Sequence, residues 1–280
     1  MKLSKRLLIA TSTGILLVTG ACNSNNNKQS DKHEKTTAMQ IKEEAISYSA
    51  DTVTMNGFVA YDASSDKKRP VVLIVHEWWG LNDYTRSRAR QLAAMGYLAM
   101  AIDMYGNGKQ GDNPEMASQL AAPFYKDPAM AKVRFDAALA KVKLMPQADT
   151  NRVAAIGYCF GGTQVLNMAK LGCPLAGVVS FHGGLAGVPA DKNLLKAPIL
   201  VCHGEADSFV SAAEVAAFKK QMDSIGANYT FKSYANATHA FTNPDATENG
   251  KKFNIPISYN AAADSSSWND MKAFFAQIFK

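Results

Sequence analysis

The sequence predicts an α/β fold, with a mainly parallel central sheet and helices on both faces. From residue 41 onward, apolar runs of strand length alternate with longer amphipathic stretches. Residues 70–76 form a continuous apolar run, which is typical of a strand buried on both faces. No second linker, repeat or low-complexity tract interrupts residues 41–280, so we predict one domain there.

The predicted elements follow from these runs and from the turn residues between them. The start of the domain is less regular, with short edge strands expected at residues 45–49, 52–55 and 57–62. Further strands are expected at residues 70–76, 97–103, 152–157, 176–182, 198–202 and 229–234. Helices are expected at residues 84–95, 127–143, 165–170, 211–225 and 267–279, and Gly96 stands where the first would be capped.

The first 21 residues have the pattern of an export signal. Lys2, Lys5 and Arg6 precede a short apolar run, which is below the ~20 residues that a membrane-spanning helix needs. Small residues then lead into Cys22, as in a bacterial lipoprotein signal whose cysteine is acylated. The alternative is an ordinary cleaved signal peptide.

We therefore expect three segments. Residues 1–21 are predicted to be a lipoprotein-type signal peptide, residues 22–40 a flexible polar tether, and residues 41–280 the folded domain. With Cys22 lipidated, the protein would be an exported bacterial lipoprotein, anchored to a membrane and facing the periplasm or the cell exterior.

Charge and cysteine content narrow the function classes. The formal net charge is +6, and half of it comes from the predicted signal peptide, so nothing favours a nucleic-acid partner. No His/Cys/Asp cluster has metal-ligand spacing, and neither a metal nor an organic cofactor is expected. With Cys22 lipidated, Cys159, Cys173 and Cys202 remain, so at least one thiol is unpaired.

The central motif is Gly157-Tyr158-Cys159-Phe160-Gly161-Gly162, between a predicted strand and a predicted helix. It has the G-x-C-x-G form of a nucleophile elbow, with cysteine in place of serine. Such a turn strains the nucleophile's backbone, and small neighbours relieve the crowding. The amides at the helix N-terminus favour a thiolate and a developing oxyanion. The alternative is a glycine-rich turn around an inert cysteine.

An α/β-hydrolase fold requires an acid and a histidine after the nucleophile, in that order. Asp207 lies in the loop after the strand predicted at residues 198–202, and His239 follows the last strand. Glu205 competes for the role of the acid, but the acid normally lies a few residues beyond the strand end. Cys159, Asp207 and His239 therefore form the predicted catalytic triad.

With these motifs and His76-Glu77-Trp78-Trp79-Gly80, the chain resembles the dienelactone hydrolase family over residues 45–280. The resemblance implies that Glu77 holds the resting thiol, since a nearby carboxylate disfavours a thiolate. A loop salt bridge is the alternative role for Glu77. The backbone amides of Trp78 and Phe160 are expected to form the oxyanion hole.

The sequence departs from that family at the positions of the residues that bind the substrate's carboxylate. Dienelactone hydrolases proper bind it with two arginines, and the corresponding residues here are Asn107 and Asn243. Asparagine lacks the charged fork that binds a carboxylate, and Lys109 is a partial substitute at best.

We thus expect a carboxylic ester hydrolase that cleaves a small ester or lactone through a thioester acyl-enzyme. The alternative is a non-catalytic lipoprotein that uses the same fold as a binding platform. A redox role for Cys173 or Cys202 is disfavoured because no C-x-x-C spacing is present.

Overall fold

The computed structural model describes residues 38–280, and the predicted signal peptide, Cys22 and most of the predicted tether lie outside them. In this part of the chain, eight strands form one sheet in the order β1-β2-β4-β3-β5-β6-β7-β8. The strands are β1 (Ile41–Ala50), β2 (Val53–Asp62), β3 (Arg69–Val75), β4 (Leu98–Ile102), β5 (Ala148–Tyr158), β6 (Gly177–Phe181), β7 (Ile199–Gly204) and β8 (Tyr229–Tyr234). Pairing is antiparallel from β1 to β2 and from β2 to β4, and parallel elsewhere.

Helices cover both faces of this sheet. They are α1 (Asp83–Ala94), α2 (Pro114–Lys126), α3 (Pro128–Lys143), α4 (Phe160–Lys170), α5 (Ala212–Ser224), α6 (Ala246–Phe253) and α7 (Ala261–Ile278). Alternate residues of β3 belong to two cores: Leu73 to the core that includes residues of α2 to α5, and Ile74 to the core that includes residues of α1 and α7. A central strand with both faces buried needs a continuous apolar run. The predicted α/β-hydrolase fold class is confirmed.

Several element boundaries differ from the prediction. The two strands expected at residues 52–55 and 57–62 are one strand, β2, because Asn56 and Gly57 pair with β1 despite their preference for turns. Helices α2 and α6 occupy segments for which the sequence analysis predicted neither a helix nor a strand. Pro123 is tolerated in the last turn of α2, and Pro114 occupies its start, where an unpaired amide is ordinary.

The fold places the ends of five parallel strands at one edge of the sheet. There, β3 leads to Glu77, β5 to Cys159, β6 to His182, β7 to Asp207 and β8 to His239. This carboxyl edge is where open α/β sheets bind their ligands. Over residues 38–280, no helix has both the length and the apolar character needed to cross a membrane.

Candidate active site

Cys159 occupies a sharp turn between β5 and α4. Its backbone lies at φ 53° and ψ −115°, a strained conformation for a residue with a side chain. Glycine is required on both sides of it: a Cβ at Gly157 would overlap the carbonyl of Gly161, and a Cβ at Gly161 would overlap the carbonyl of Val75. The chain therefore holds Cys159 half-exposed at the N-terminus of α4.

His239 and Asp207 form a buried hydrogen-bonded pair. Nδ1 of His239 lies 2.8 Å from Oδ2 of Asp207, and Oδ1 of Asp207 accepts the amide of Phe209 at 2.9 Å. Burial by itself would lower the pKa of His239. Interaction with Cys159 and the hydrogen bond to Asp207 instead raise that pKa to about 10. His239 therefore favours its protonated form at neutral pH.

The predicted residues meet around one cleft of about 330 Å³. Glu77, Trp78, Cys159 and His239 line it directly, while Asp207 lies behind His239. Phe160 is fully buried and is not among the residues that line the cleft. The remaining lining residues are mostly apolar or aromatic: Trp79, Tyr125, Thr163, Gly184, Ala186, Phe209, Val210, Glu214, Ala240 and Ile257.

The two backbone amides predicted to form the oxyanion hole have no protein acceptor among residues 38–280. In the described chain, neither the amide of Trp78 nor that of Phe160 donates a hydrogen bond to a protein acceptor. The amide of Phe160 belongs to the first turn of α4, where helical donors have no partner within the helix. The two segments that carry these amides are joined, because Gly161 donates its amide to the carbonyl of His76 at 3.0 Å.

Glu77 is buried and accepts a hydrogen bond from Asn243. Nδ2 of Asn243 lies 2.7 Å from Oε2 of Glu77. Burial raises the pKa of Glu77 from its ordinary value of 4.5 to about 7, and the hydrogen bond from Asn243 only partly opposes this. No hydrogen bond joins Glu77 to Cys159 among residues 38–280, so the predicted thiol-holding contact stays a prediction.

The two asparagines of the sequence prediction have different surroundings. Asn243 is buried against Glu77, whereas Asn107 is an exposed loop residue with a positive φ of 55°. Lys109 is also exposed, and it does not line the cleft. Lys109 therefore does not substitute for a carboxylate-binding arginine here.

The other two described cysteines are buried free thiols. Burial raises the pKa of Cys173 to about 11 and that of Cys202 to about 12, so both stay protonated at neutral pH. Of the three cysteines in the described part of the chain, only Cys159 faces the cleft.

His182 is a residue beside the site that the sequence prediction did not include. The amide of Cys159 donates to Nδ1 of His182 at 3.1 Å and to the carbonyl of Phe181 at 3.0 Å. Nε2 of His182 lies 2.7 Å from Oγ1 of Thr242. Burial lowers the pKa of His182 well below its usual range, so the neutral ring accepts at Nδ1 and donates from Nε2. His182 thereby joins the nucleophile turn to the loop that carries His239.

Helix α1 anchors the far end of this connection. The hydroxyl of Tyr84 lies 2.6 Å from Oγ1 of Thr242, and Arg88 donates to the carbonyl of Thr242 at 2.6 Å. Arg88 also forms a buried ion pair with Asp264 at 2.6 Å. A histidine at a strand end beside the predicted site was the available sequence signal for His182. Nothing local marked Thr242, Tyr84 or Arg88.

A sharp strand-to-helix turn carrying a cysteine, followed by an aspartate and a histidine at the same sheet edge, defines an α/β hydrolase. The model of the Dienelactone hydrolase family matches residues 55–279, and the chain belongs to that family. The resemblance stated from the sequence is confirmed.

Similar proteins agree with this assignment. Protein usf of Aquifex pyrophilus is 30% identical over 74% of this chain and 88% of its own. The crystal structure of the dienelactone hydrolase-like promiscuous phosphotriesterase P91, from metagenomic libraries, matches with a TM-score of 0.79. It is 32% identical over 85% of this chain and 98% of its own. A structure named m3DLH matches with a TM-score of 0.81 and 33% identity, over 86% of this chain and 99% of its own. Family membership makes the protein a hydrolase.

The His182 connection predicts a loss of stability in His182→Asn. Asparagine tolerates the positive φ of 41° at this position but cannot bridge Cys159 and Thr242 as the imidazole does. We expect the free energy of unfolding to fall by about 1–3 kcal/mol, measured by urea denaturation. The control is His203→Asn, since His203 is also buried at a strand end but its Nδ1 has no partner in the described chain. An equal loss in both variants would contradict a specific role for the His182 hydrogen bonds.

The raised pKa of Glu77 predicts that the stability of the fold depends on pH. Below pH 4.5 the group is protonated in both the folded and the unfolded chain. Between pH 4.5 and 7 only the unfolded chain loses the proton. The free energy of unfolding therefore falls as pH rises over this range, and the stabilisation from protonated Glu77 is lost once pH passes about 7. From pH 5 to pH 8, Glu77→Gln should therefore gain about 2–3 kcal/mol of stability relative to the parent, measured by urea denaturation. The exposed Glu248→Gln is the control, and the same pH trend in both variants would refute the assignment to Glu77.

Proposed function

We propose that the protein hydrolyses ester or lactone bonds of small substrates, with Cys159 as nucleophile, His239 as acid and base, and Asp207 as the residue that orients His239. The observation that carries this proposal is the placement of His239, bound to Asp207 at 2.8 Å, in the same cleft as Cys159. The enrichment of apolar and aromatic side chains around that cleft suits a small organic substrate.

In the first step, the thiolate of Cys159 attacks the carbonyl carbon and a tetrahedral intermediate forms. Its oxyanion is bound by the free amides of Trp78 and Phe160, with support from the N-terminus of α4. As the intermediate collapses, the imidazolium of His239 gives its proton to the departing alkoxide. The products of this step are the alcohol and a thioester on Cys159; with a lactone, both remain one molecule.

In the second step, neutral His239 takes a proton from water, and the resulting hydroxide attacks the thioester. Collapse of this second intermediate releases the carboxylic acid and returns the thiolate of Cys159 beside a protonated His239. Asp207 stabilises the imidazolium in both half-reactions and keeps Nδ1 occupied, which leaves Nε2 to serve Cys159 and water.

The thiol-holding role of Glu77 is part of this proposal. Glu77 and Cys159 line the same cleft, which supports this role. The hydrogen bond from Asn243 occupies Oε2, which leaves Oε1 to accept a hydrogen bond from the thiol. In that state the neighbouring carboxylate would keep Cys159 protonated, and substrate would release it.

The location of the protein is also proposed. Cys22 would carry the lipid that anchors an exported domain to a bacterial membrane, facing the periplasm or the cell exterior. The polar residues 22–40 would then separate the lipid from the first strand, which starts at Ile41.

Substitutions in the triad should separate hydrolysis from mere binding. We expect Cys159→Ala to lower kcat/KM for p-nitrophenyl acetate by about 10⁴-fold or more, and Asp207→Asn by about 10²–10⁴-fold. Release of p-nitrophenolate measures the activity, and circular dichroism confirms folding. The matched control is Glu205→Gln, which removes an exposed carboxylate two residues from Asp207 and should leave kcat/KM within about twofold. A folded parent protein without Cys159-dependent turnover would support the binding-platform alternative and overturn the enzyme proposal.

Lipidation predicts a defined mass at the mature N-terminus. Expressed in bacteria from the full sequence, the protein should begin at Cys22 and carry a diacylglyceryl group, detected by mass spectrometry of the N-terminal peptide. Cys22→Ala should abolish the modification and release the domain from the membrane fraction. An unmodified, membrane-free parent protein would favour the ordinary cleaved signal peptide.

A further inference from the structure

The charges around the cleft define a substrate class within the proposed function, on which this inference rests. We infer that the cleft accepts esters and lactones whose bound portion is uncharged and largely apolar, and that it discriminates against substrates carrying a carboxylate.

The first support is the character of the cleft wall. Trp78, Tyr125, Phe209 and Ile257 present aromatic or aliphatic surface to its interior, and the ring of Phe209 lies 5.0 Å from that of His239. A volume of about 330 Å³ is at the small end of ligand pockets. Burying an apolar group against such a wall is favourable, whereas a carboxylate buried there would lose its hydration without compensation.

The second support is the sign of the charged groups. Glu77 and Glu214 both line the cleft, and neither lysine nor arginine lines it in the described chain. Glu214 is held in place, because its Oε1 accepts the amides of Leu185 at 2.6 Å and Ala186 at 2.9 Å. A substrate carboxylate would therefore meet fixed negative charge rather than a counter-ion.

The positive charges nearby are already engaged. The proton on His239 is balanced by Asp207, whose Oδ2 lies 2.8 Å from Nδ1 of the ring. Arg88 is paired with Asp264 and lies on the far side of Thr242. Lys170 lines a neighbouring cavity that shares Ala186 and Glu214 with the cleft, but it does not line the cleft itself.

The test compares each carboxylate substrate with its uncharged primary amide. One pair, 4-acetoxybenzoate and 4-acetoxybenzamide, places the charge on the leaving group. The other pair, mono-p-nitrophenyl adipate and its primary amide, places it on the acyl group. For both pairs, kcat/KM is corrected for hydroxide-catalysed hydrolysis. We expect it to be about tenfold or more higher for the amide form, because the substrate carboxylate and the cleft carboxylates repel each other appreciably in a partly buried site.

Two variants assign the discrimination to the cleft. Glu214→Gln keeps an oxygen acceptor for the amides of Leu185 and Ala186 but removes the charge, and should reduce the preference for the amide form several-fold. Ala186→Lys adds a cation at an exposed lining position and should reduce it further. The control Glu248→Gln removes the same charge from the exposed surface of α6 and should leave the ratio unchanged.

The outcomes separate this inference from the proposed function. Cys159-dependent turnover with equal kcat/KM for both members of each pair would overturn the inference and leave the hydrolase proposal standing. A preference that neither Glu214→Gln nor Ala186→Lys alters would overturn the electrostatic origin. Absence of Cys159-dependent turnover on all four compounds would overturn the hydrolase proposal, and the inference with it.

Discussion

The left-handed backbone at Cys159 is the constraint on which the rest of the site depends. A residue with a side chain in this conformation costs about 1–3 kcal/mol, and buried packing on both sides must offset that cost. The offset comes from the close approach of α4 to β3, where Gly161 lies directly against the carbonyl of Val75. The same approach fixes the loop after β3, because Gly161 donates its amide to the carbonyl of His76, two residues before Trp78. The proposed nucleophile and the proposed oxyanion donors thus depend on one packing contact.

The position of His239 depends on a second set of contacts, which begins at the backbone amide of Cys159. His182 accepts the amide of Cys159 and donates to Thr242, three residues beyond His239. Arg88 and Tyr84 hold Thr242 from helix α1. Because both His182 and Cys159 have positive φ, neither turn would be stable alone. The hydrogen bonds between them make two strained turns support each other, and they connect the loop that carries His239 to the turn at Cys159.

Much of the fold and of the site could be predicted because the relevant signals are local. The apolar run at residues 70–76 marks a buried strand, and the glycines around Cys159 mark a turn that only they can make. What could not be predicted depends on contacts between distant parts of the chain. Asn243 lies 166 positions from Glu77, and its role as the partner of that carboxylate follows only from the folded sheet edge. Likewise, the Asn56–Gly57 pair continues β2 because β1 is present to pair with it.

The Glu77–Asn243 pair links the electrostatics of the cleft to its chemistry. An amide donates one hydrogen bond but supplies no charge, so burial dominates and the pKa of Glu77 rises to about 7. At neutral pH the carboxyl group of Glu77 is then close to half ionised. An arginine at position 243 would keep Glu77 ionised and would attract carboxylates. With asparagine there, any hold of Glu77 on the thiol and its repulsion of anionic substrates must both weaken as pH falls below 7, because both require its negative charge.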